Sequence, residues 1–285
     1  MGLLIPGLYY PNDQSQKLQA FWFFFFMNLP ELKTTLSKLP LGGIRYFDSI
    51  GSTNDEALAW AANDAQDLSL VVANEQTAGR GRLDRPWFTP PSTALAFSLI
   101  LRPTTDEKPL LSRTVGLAAL ALADSFGMLG LAPQIKWPND ILLNGRKAAG
   151  ILIELVWSGE DVECVVIGIG INIAKTAVPS TDILRFPAIS LEHVLGEAPD
   201  RNKLLHDILA SLISLRPHLR TDAFMKSWEK LLAYYGKQVR VEMSGEQPVM
   251  GEIIGLESDG SLKLRDENGK TVTVRFGDVR LRLFA

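Results

Sequence analysis

The strongest constraint on the fold is a charged, glycine-rich break between two apolar runs. Leu70-Val71-Val72-Ala73 reads as one strand, and residues 93–101, Thr-Ala-Leu-Ala-Phe-Ser-Leu-Ile-Leu, read as another. Between them stands Gly79-Arg80-Gly81-Arg82-Leu83-Asp84-Arg85-Pro86-Trp87. Short apolar runs bounded by turn formers predict buried strands. Pro86, Pro90 and Pro91 bar a helix between them. The segment is therefore a long loop joining two core strands. Gly79 and Gly81 let the backbone approach a ligand. Arg80, Arg82 and Arg85 supply fixed charge and forked donors suited to carboxylate or phosphate. Such a loop suits closure over an anion; a solvated connecting loop is the competing reading. Two nucleotide-site patterns are excluded. The dinucleotide fingerprint fails at Asp84 and at the prolines that follow. The P-loop fails because Gly269-Lys270-Thr271 has Leu264 where the earlier glycine belongs.

Length and charge narrow the classes. The chain has 285 residues, room for one large domain and a small one. Its net charge of −3 argues against a protein whose task is coating nucleic acid. Cys164 is the only cysteine, so there is no disulfide framework and a reducing cytoplasm fits. His193, His206 and His218 have no companions at ligand spacing, which argues against a zinc site. Residues 1–40 are set apart as an N-terminal extension. Phe21-Trp22-Phe23-Phe24-Phe25-Phe26 falls short of the roughly 20 apolar residues of a membrane span. It also lacks the flanks of a signal peptide. A packed arm, a membrane-touching wedge and sequence upstream of a true start at Met27 all fit; the last is favoured.

The rest of the chain reads as two units, residues 41–235 and 236–285. Ile44-Arg45-Tyr46-Phe47 predicts a first strand. Ser52-Thr53-Asn54-Asp55-Glu56 predicts a helix start, with Thr53 as N-cap and Glu56 closing a capping box. The same Ser52, Thr53 and Asn54 put hydroxyl and amide groups where a polar or anionic ligand binds well. Glu75-Gln76-Thr77 is expected to end the second strand, with Gln76 facing the same pocket. Pro109 opens an apolar helix to about Leu129. Lys136 stands among apolar neighbours beside Trp137 and is a candidate for a cleft. Asn144-Gly145 predicts a tight hairpin into a strand over 147–157. Residues 162–173 form a long inner strand whose Gly168 and Gly170 imply that something approaches the backbone closely. Asn172 ends it with a donor–acceptor pair. Helices are expected over 201–216 and 221–234. After Gly236 come five short strands with turns at Asp259-Gly260 and Asn268-Gly269, which suggests a small barrel.

Five segments together resemble biotin protein ligases. They are Ser52-Thr53-Asn54, residues 76–82 (Gln-Thr-Ala-Gly-Arg-Gly-Arg), Lys136-Trp137-Pro138-Asn139-Asp140, residues 147–152 (Lys-Ala-Ala-Gly-Ile-Leu) and Gly168-Ile169-Gly170-Ile171-Asn172. The resemblance covers roughly residues 44–283. It implies an α+β fold, a mixed-sheet catalytic domain followed by an SH3-like β-barrel. It implies ligation of biotin, through biotinyl-5′-adenylate made from ATP with Mg²⁺ on the phosphates. The acceptor would be a lysine on the biotin carboxyl carrier domain of a biotin-dependent carboxylase. By the same resemblance Ser52, Thr53, Asn54 and Gln76 hold the biotin ring. Gly79, Arg80, Gly81, Arg82 and Arg85 form the loop over biotin and adenylate. Lys136 touches the carboxylate and α-phosphate, and Asn172 lies near the adenine. Asp84 stands where the family often has glycine, and is expected to draw Arg85 away from phosphate. Too few ordinary residues precede Ser52 for the DNA-binding domain of bifunctional members, so neither DNA nor a membrane is expected as partner. A homodimer is compatible with the resemblance. A lipoate ligase or transferase shares the catalytic fold and is the enzyme alternative. A nucleic-acid-binding protein using the arginine loop is the alternative of another class, disfavoured by the acidic balance.

A chain beginning at Met27 is expected to fold and ligate biotin as the full chain does. A lower melting temperature or lost ligation in that truncation would make residues 1–26 part of the working protein.

Overall fold

The computed structural model describes residues 27–180, 186–242, 247–275 and 280–283. The aromatic run at 21–26 lies outside them, as does the side chain of Asp84. The strands are β1 (Gly43–Phe47), β2 (Ser69–Ala73), β3 (Ala94–Leu101), β4 (Gln134–Lys136), β5 (Asp140–Leu143), β6 (Arg146–Ser158), β7 (Asp161–Asn172), β8 (Gln238–Glu242), β9 (Val249–Leu256), β10 (Leu262–Arg265), β11 (Thr271–Val274) and β12 (Arg280–Leu283). The α-helices are α1 (Leu29–Thr35), α2 (Thr53–Ala61), α3 (Thr114–Met128), α4 (Leu191–Leu195), α5 (Arg201–Leu215) and α6 (Asp222–Lys230).

Seven strands form one sheet in the order β1-β2-β3-β7-β6-β5-β4. Only β1 and β2 pair in parallel, with α2 as their crossover; the other pairs are antiparallel. The sheet is mixed, as expected. The two runs that flank the arginine loop are β2 and β3, side by side and wholly buried. A strand buried on both faces reads as a continuous apolar run. Pro109 opens a 3₁₀ turn, Lys108–Arg113, which leads into α3. Nearly every side chain of α3 is buried, so the helix is apolar all round and carries no amphipathic stripe. α5 packs against it.

Two local expectations shift. Ser52 caps α2, its Oγ accepting from the Asp55 amide at 3.4 Å. Thr53 is not the cap, because its amide and hydroxyl both donate to Gln76 Oε1, at 2.8 and 3.1 Å. β2 ends at Ala73, before Glu75-Gln76-Thr77, and Gln76 keeps only single bridges to Ile50 and Thr89. The helix expected over 221–234 stops at Lys230 because the chain then zips onto β4. The Ile135 amide donates to Leu231 O, and the Ala233 amide donates back to Ile135 O.

The last five strands make a separate antiparallel sheet in the order β11-β10-β9-β8-β12. Gly260 and Gly269 take φ of +86° and +77° at the two anticipated turns. The turn over 257–261 docks on the larger unit. Arg113 Nε donates to Ser258 O at 2.7 Å, and Trp137 Nε1 donates to Gly260 O at 2.8 Å. Trp228, fully buried, fills the space between this turn and Gly116 of α3.

A Cβ at Gly116 would lie 2.3 Å from the Trp228 ring. Gly116→Ala is therefore expected to destabilise by about 1–3 kcal/mol through overpacking. Urea unfolding measures it, and an unchanged midpoint would remove Trp228 from the docking.

Candidate active site

A cleft of about 790 Å³ opens where β7 ends, between α2, the arginine loop and the β4–β5–β6 hairpins. The loop is an irregular ribbon, folded back on itself. The Ser92 amide donates to Asn74 O, Gln76 to Thr89 O, Trp87 to Gly79 O and Gly81 to Arg85 O. At its tip, Leu83 takes φ of +60° in a short 3₁₀ turn, Arg82–Asp84. Gly79 does not line the cleft; it gives the ribbon its rung, since a Cβ there would lie 2.6 Å from Trp87 O. Gly81, Arg80, Arg82 and Arg85 do line it.

One end of the cleft is polar and neutral. Ser52, Thr53 and Asn54 are buried there, beside Gln76. Thr53 holds Gln76 Oε1, so Gln76 presents its amide nitrogen, which donates to Thr89 Oγ1 at 3.3 Å. Buried Ser98 of β3 donates to Asn54 Oδ1 at 2.6 Å and shares its proton with Thr53 Oγ1 at 2.8 Å. Asn54 Nδ2 donates to Glu154 of β6 at 2.7 Å. Gly168 permits this, because a Cβ on it would lie 2.0 Å from Asn54 Oδ1. Arg80 joins the network through Asp55 at 2.6 Å and both oxygens of Glu154 at 2.9 and 3.0 Å. The hydrogen bonds it donates, to Asp55 first and then to Glu154, hold its guanidinium even more firmly protonated than usual. Its charge is directed at these carboxylates, and the residue lines the cleft.

The other end is cationic. Lys136 closes β4 with its Nζ 4.0 Å over the Phe186 ring and 3.8 Å from Asp140. Lys147 of β6 lies 2.6 Å from the other Asp140 oxygen and 5.3 Å from the Trp87 ring centre. Burial pushes the Lys136 pKa below the ordinary lysine value; Asp140 opposes that shift, and Lys147 and Arg85 add to it. Among the described lining residues Arg80, Arg82, Arg85, Lys136 and Lys147 are cations and Asp140 is the only carboxylate. Lys136 and Lys147 share Asp140, so two cations sit on one acid. A partly dry cavity with that surplus favours a polyanion. Asn172 completes this end: its Nδ2 donates to Ile189 O and Lys147 O at 3.2 and 3.4 Å, which turns Oδ1 the other way as an acceptor.

The cleft therefore gathers every candidate named from the sequence except Gly79. It adds Lys147, Asp140 and Trp87, with Glu154 behind the lining on Arg80 and Asn54, none of which sequence reasoning singled out. Glu154 carried a signal, a charge inside an otherwise apolar strand run, whereas Lys147 follows Arg146 at the start of its strand. Trp87 carried none: only the fold lays its indole against Gly170, where a Cβ would come within 2.4 Å.

Comparison with known proteins agrees with this architecture. Residues 46–172 match the model of the biotin/lipoate A/B protein ligase family, and residues 234–282 match that of the biotin protein ligase C-terminal domain. The biotin–[acetyl-CoA-carboxylase] ligase of Paracoccus denitrificans is 35% identical over 230 residues, 78% of this chain and 93% of its own. The enzyme of the same name from Mycobacterium tuberculosis is 36% identical over 242 residues, 80% and 85% of the two chains. A solved structure of the Aquifex aeolicus biotin protein ligase with biotin and ATP superposes with a TM-score of 0.73 at 25% identity, covering 85% of this chain and 99% of that one.

Lys136→Met tests the electrostatics. A lysine whose pKa is lowered by folding handicaps the fold below its folded pKa, and the handicap disappears above the unfolded value. The melting temperature of Lys136→Met is expected to match or exceed the parent's at neutral pH, with any gain shrinking as pH rises towards the ordinary lysine pKa. A clear loss of stability at neutral pH would contradict the buried-cation assignment.

Proposed function

We propose, for a chain that belongs to the biotin/lipoate A/B protein ligase family, that it is a biotin–protein ligase working through biotinyl-5′-adenylate. The observation that carries the reading at this site is the two-ended cleft, neutral polar groups at one end and, at the other, Lys136 and Lys147 sharing the single acid Asp140. Ser52, Thr53, Asn54 and Gln76 would take the ring, with Gln76 offering N–H to its carbonyl oxygen. The biotin chain would run under the ribbon, placing its carboxylate near Lys136, Lys147, Arg82 and Arg85. Asn172 would accept from the adenine amino group.

The first step needs no base, since the carboxylate is already a nucleophile. Its oxygen bonds to the α-phosphorus, and the bond from that phosphorus to pyrophosphate breaks. The barrier includes like-charge approach, about 4 kcal/mol for two unit charges 4 Å apart at an effective dielectric of 20. Fixed cations around the junction offset it and stabilise charge that develops on the α-phosphate. Mg²⁺ would enter on the phosphates. Asp140 fits it as the single protein carboxylate, as is common for a cation that keeps waters and phosphate oxygens. When bound it supplies Lewis-acid neutralisation of the phosphate oxygens. In the second step a deprotonated lysine amine attacks the acyl carbon, and AMP leaves as the amide forms. The acceptor would be the biotin carboxyl carrier domain of a biotin-dependent carboxylase. On this reading residues 41–235 carry the chemistry and residues 236–285 brace them.

Incubation with biotin, α-labelled ATP and a purified carrier domain tests the proposal. Labelled adenylate and biotinylated carrier are expected; adenylate from lipoate and none from biotin would transfer the reading to the lipoate enzymes.

Arg82→Gly is expected to make adenylate but release it. The adenylate is a mixed anhydride, and a closed ribbon protects it from water and stray amines. Each charge-assisted hydrogen bond lost is worth about 1.5–3 kcal/mol, so escape should quicken by roughly tenfold or more. A streptavidin blot of bystander albumin beside a direct off-rate reads this. Adenylate held as long as by the parent, with no bystander labelled, would end this role for Arg82.

A further inference from the structure

Glu154 stands in an apolar stretch of β6, between Ile153 and Leu155 and opposite Val166. Its side chain is 24% exposed. Oε1 accepts from Arg80 Nη1 at 2.9 Å; Oε2 accepts from Arg80 Nη2 at 3.0 Å and from Asn54 Nδ2 at 2.7 Å. Asp55, the other acid on Arg80, is 58% exposed and takes Arg80 alone. Among the described residues Glu154 is thus the one acid that grips both the ribbon and the neutral end of the cleft.

We propose that Glu154 is a positioning residue for the ring-binding end of the cleft: it holds the ribbon down through Arg80 and fixes the orientation of the Asn54 amide. The proposal rests on the ligase reading above and names a residue that acts through others. Both effects follow from a carboxylate being an acceptor only. Asn54 must turn Nδ2 towards it, which leaves Oδ1 for the Ser98 hydroxyl at 2.6 Å. That hydroxyl also meets Thr53, and Thr53 fixes Gln76, so the order set at Glu154 runs on to the residues that face the ligand. On its other side, Arg80 lies between the Gly79–Trp87 and Gly81–Arg85 rungs. Holding its guanidinium therefore holds the middle of the ribbon against α2 and β6. Gly168 on the neighbouring strand leaves the space that lets Asn54 reach Glu154.

Glu154→Gln in the full-length chain tests this, because the amide keeps the shape and turns one acceptor into a donor facing other donors. Two readouts are taken. Trypsin cleavage after Arg80 or Arg82 without ligand, located by mass spectrometry, is expected to quicken by about tenfold, the factor for one charge-assisted bond lost. Biotin affinity by calorimetry is expected to weaken by a similar factor, while adenylate formation at saturating substrates stays close to the parent's. Asp55→Asn should loosen the ribbon to trypsin yet keep parental biotin affinity, since Asn54 retains its partner. If Glu154→Gln fails to fold, Glu154→Asp should give both changes in smaller size. Parental trypsin and biotin values, or a fall in melting temperature with both unchanged, would overturn the proposal. The trypsin readout involves no biotin, so it stands or falls independently of the ligase reading. Should the parent bind lipoate in place of biotin, the affinity readout is taken with lipoate.

Discussion

Two missing Cβ atoms on β7 decide where a ligand site can exist. β7 is the middle strand of the sheet, flanked by β3 and β6, and its end forms the floor of the cleft. A side chain at Gly168 would occupy the place of the Asn54 amide, and one at Gly170 would occupy that of the Trp87 indole. Glycine weakens a strand interior by giving up packing and adding unfolded-state freedom. Here the full pairing on both sides restores order, with Ser98 opposite Gly168 and Ala96 opposite Gly170 across the β3 ladder. The polar end and the ribbon both depend on that floor. Without it, α2 would stand off the sheet and the ribbon would have nothing to fold onto.

Given the floor, charge sorts itself by what each cation can find. Arg80 reaches Asp55 and Glu154 and is neutralised locally. Lys136 and Lys147 share one acid, and burial works against the charge on Lys136. A protein that only needed stability would gain by exchanging such a lysine for an apolar side chain, since a buried cation short of partners loses hydration it cannot recover. The cationic end is therefore a strained arrangement that a phosphate would relieve. That links the stability and the chemistry of the cleft through the same residues.

What could be read in the sequence had short-range causes. The alternation of apolar runs with Gly, Pro and Asn-Gly breaks located β2, β3, β6, β7 and the turns of the C-terminal sheet, because burial and turn geometry act over a few residues. The N-cap of α2 was displaced by one position, since Ser52 and Thr53 are equally good caps and only distant Gln76 decides between them. For the same reason Trp87 was illegible as a site residue, and the charge of Glu154 in its apolar run did not say what it would hold. Their partners lie 83 and 74 residues away in sequence, Gly170 on β7 and Arg80 in the ribbon respectively. Asp140 was hidden differently: it sat inside a motif read for its lysine, and its pairing with Lys147 depends on the bulge that shifts the β5–β6 register.

The C-terminal sheet enters the same chain of dependence. Its 257–261 turn is held from the larger unit by Arg113 on one carbonyl and by Trp137 on another. Trp137 follows Lys136 directly, and the peptide after it, to Pro138, is cis. The indole is 2% exposed, so its N–H has no access to bulk water and would be orphaned without Gly260 O. An orphaned buried donor costs about 1–3 kcal/mol, enough to favour another orientation of the ring. A side chain locked at one residue limits the backbone of its neighbour, and that neighbour carries the buried cation of the cleft. The small sheet thus bears on the cleft although none of its described residues lines it. It supplies a carbonyl that fixes Trp137, and through Trp137 the end of β4 from which Lys136 lines the cleft.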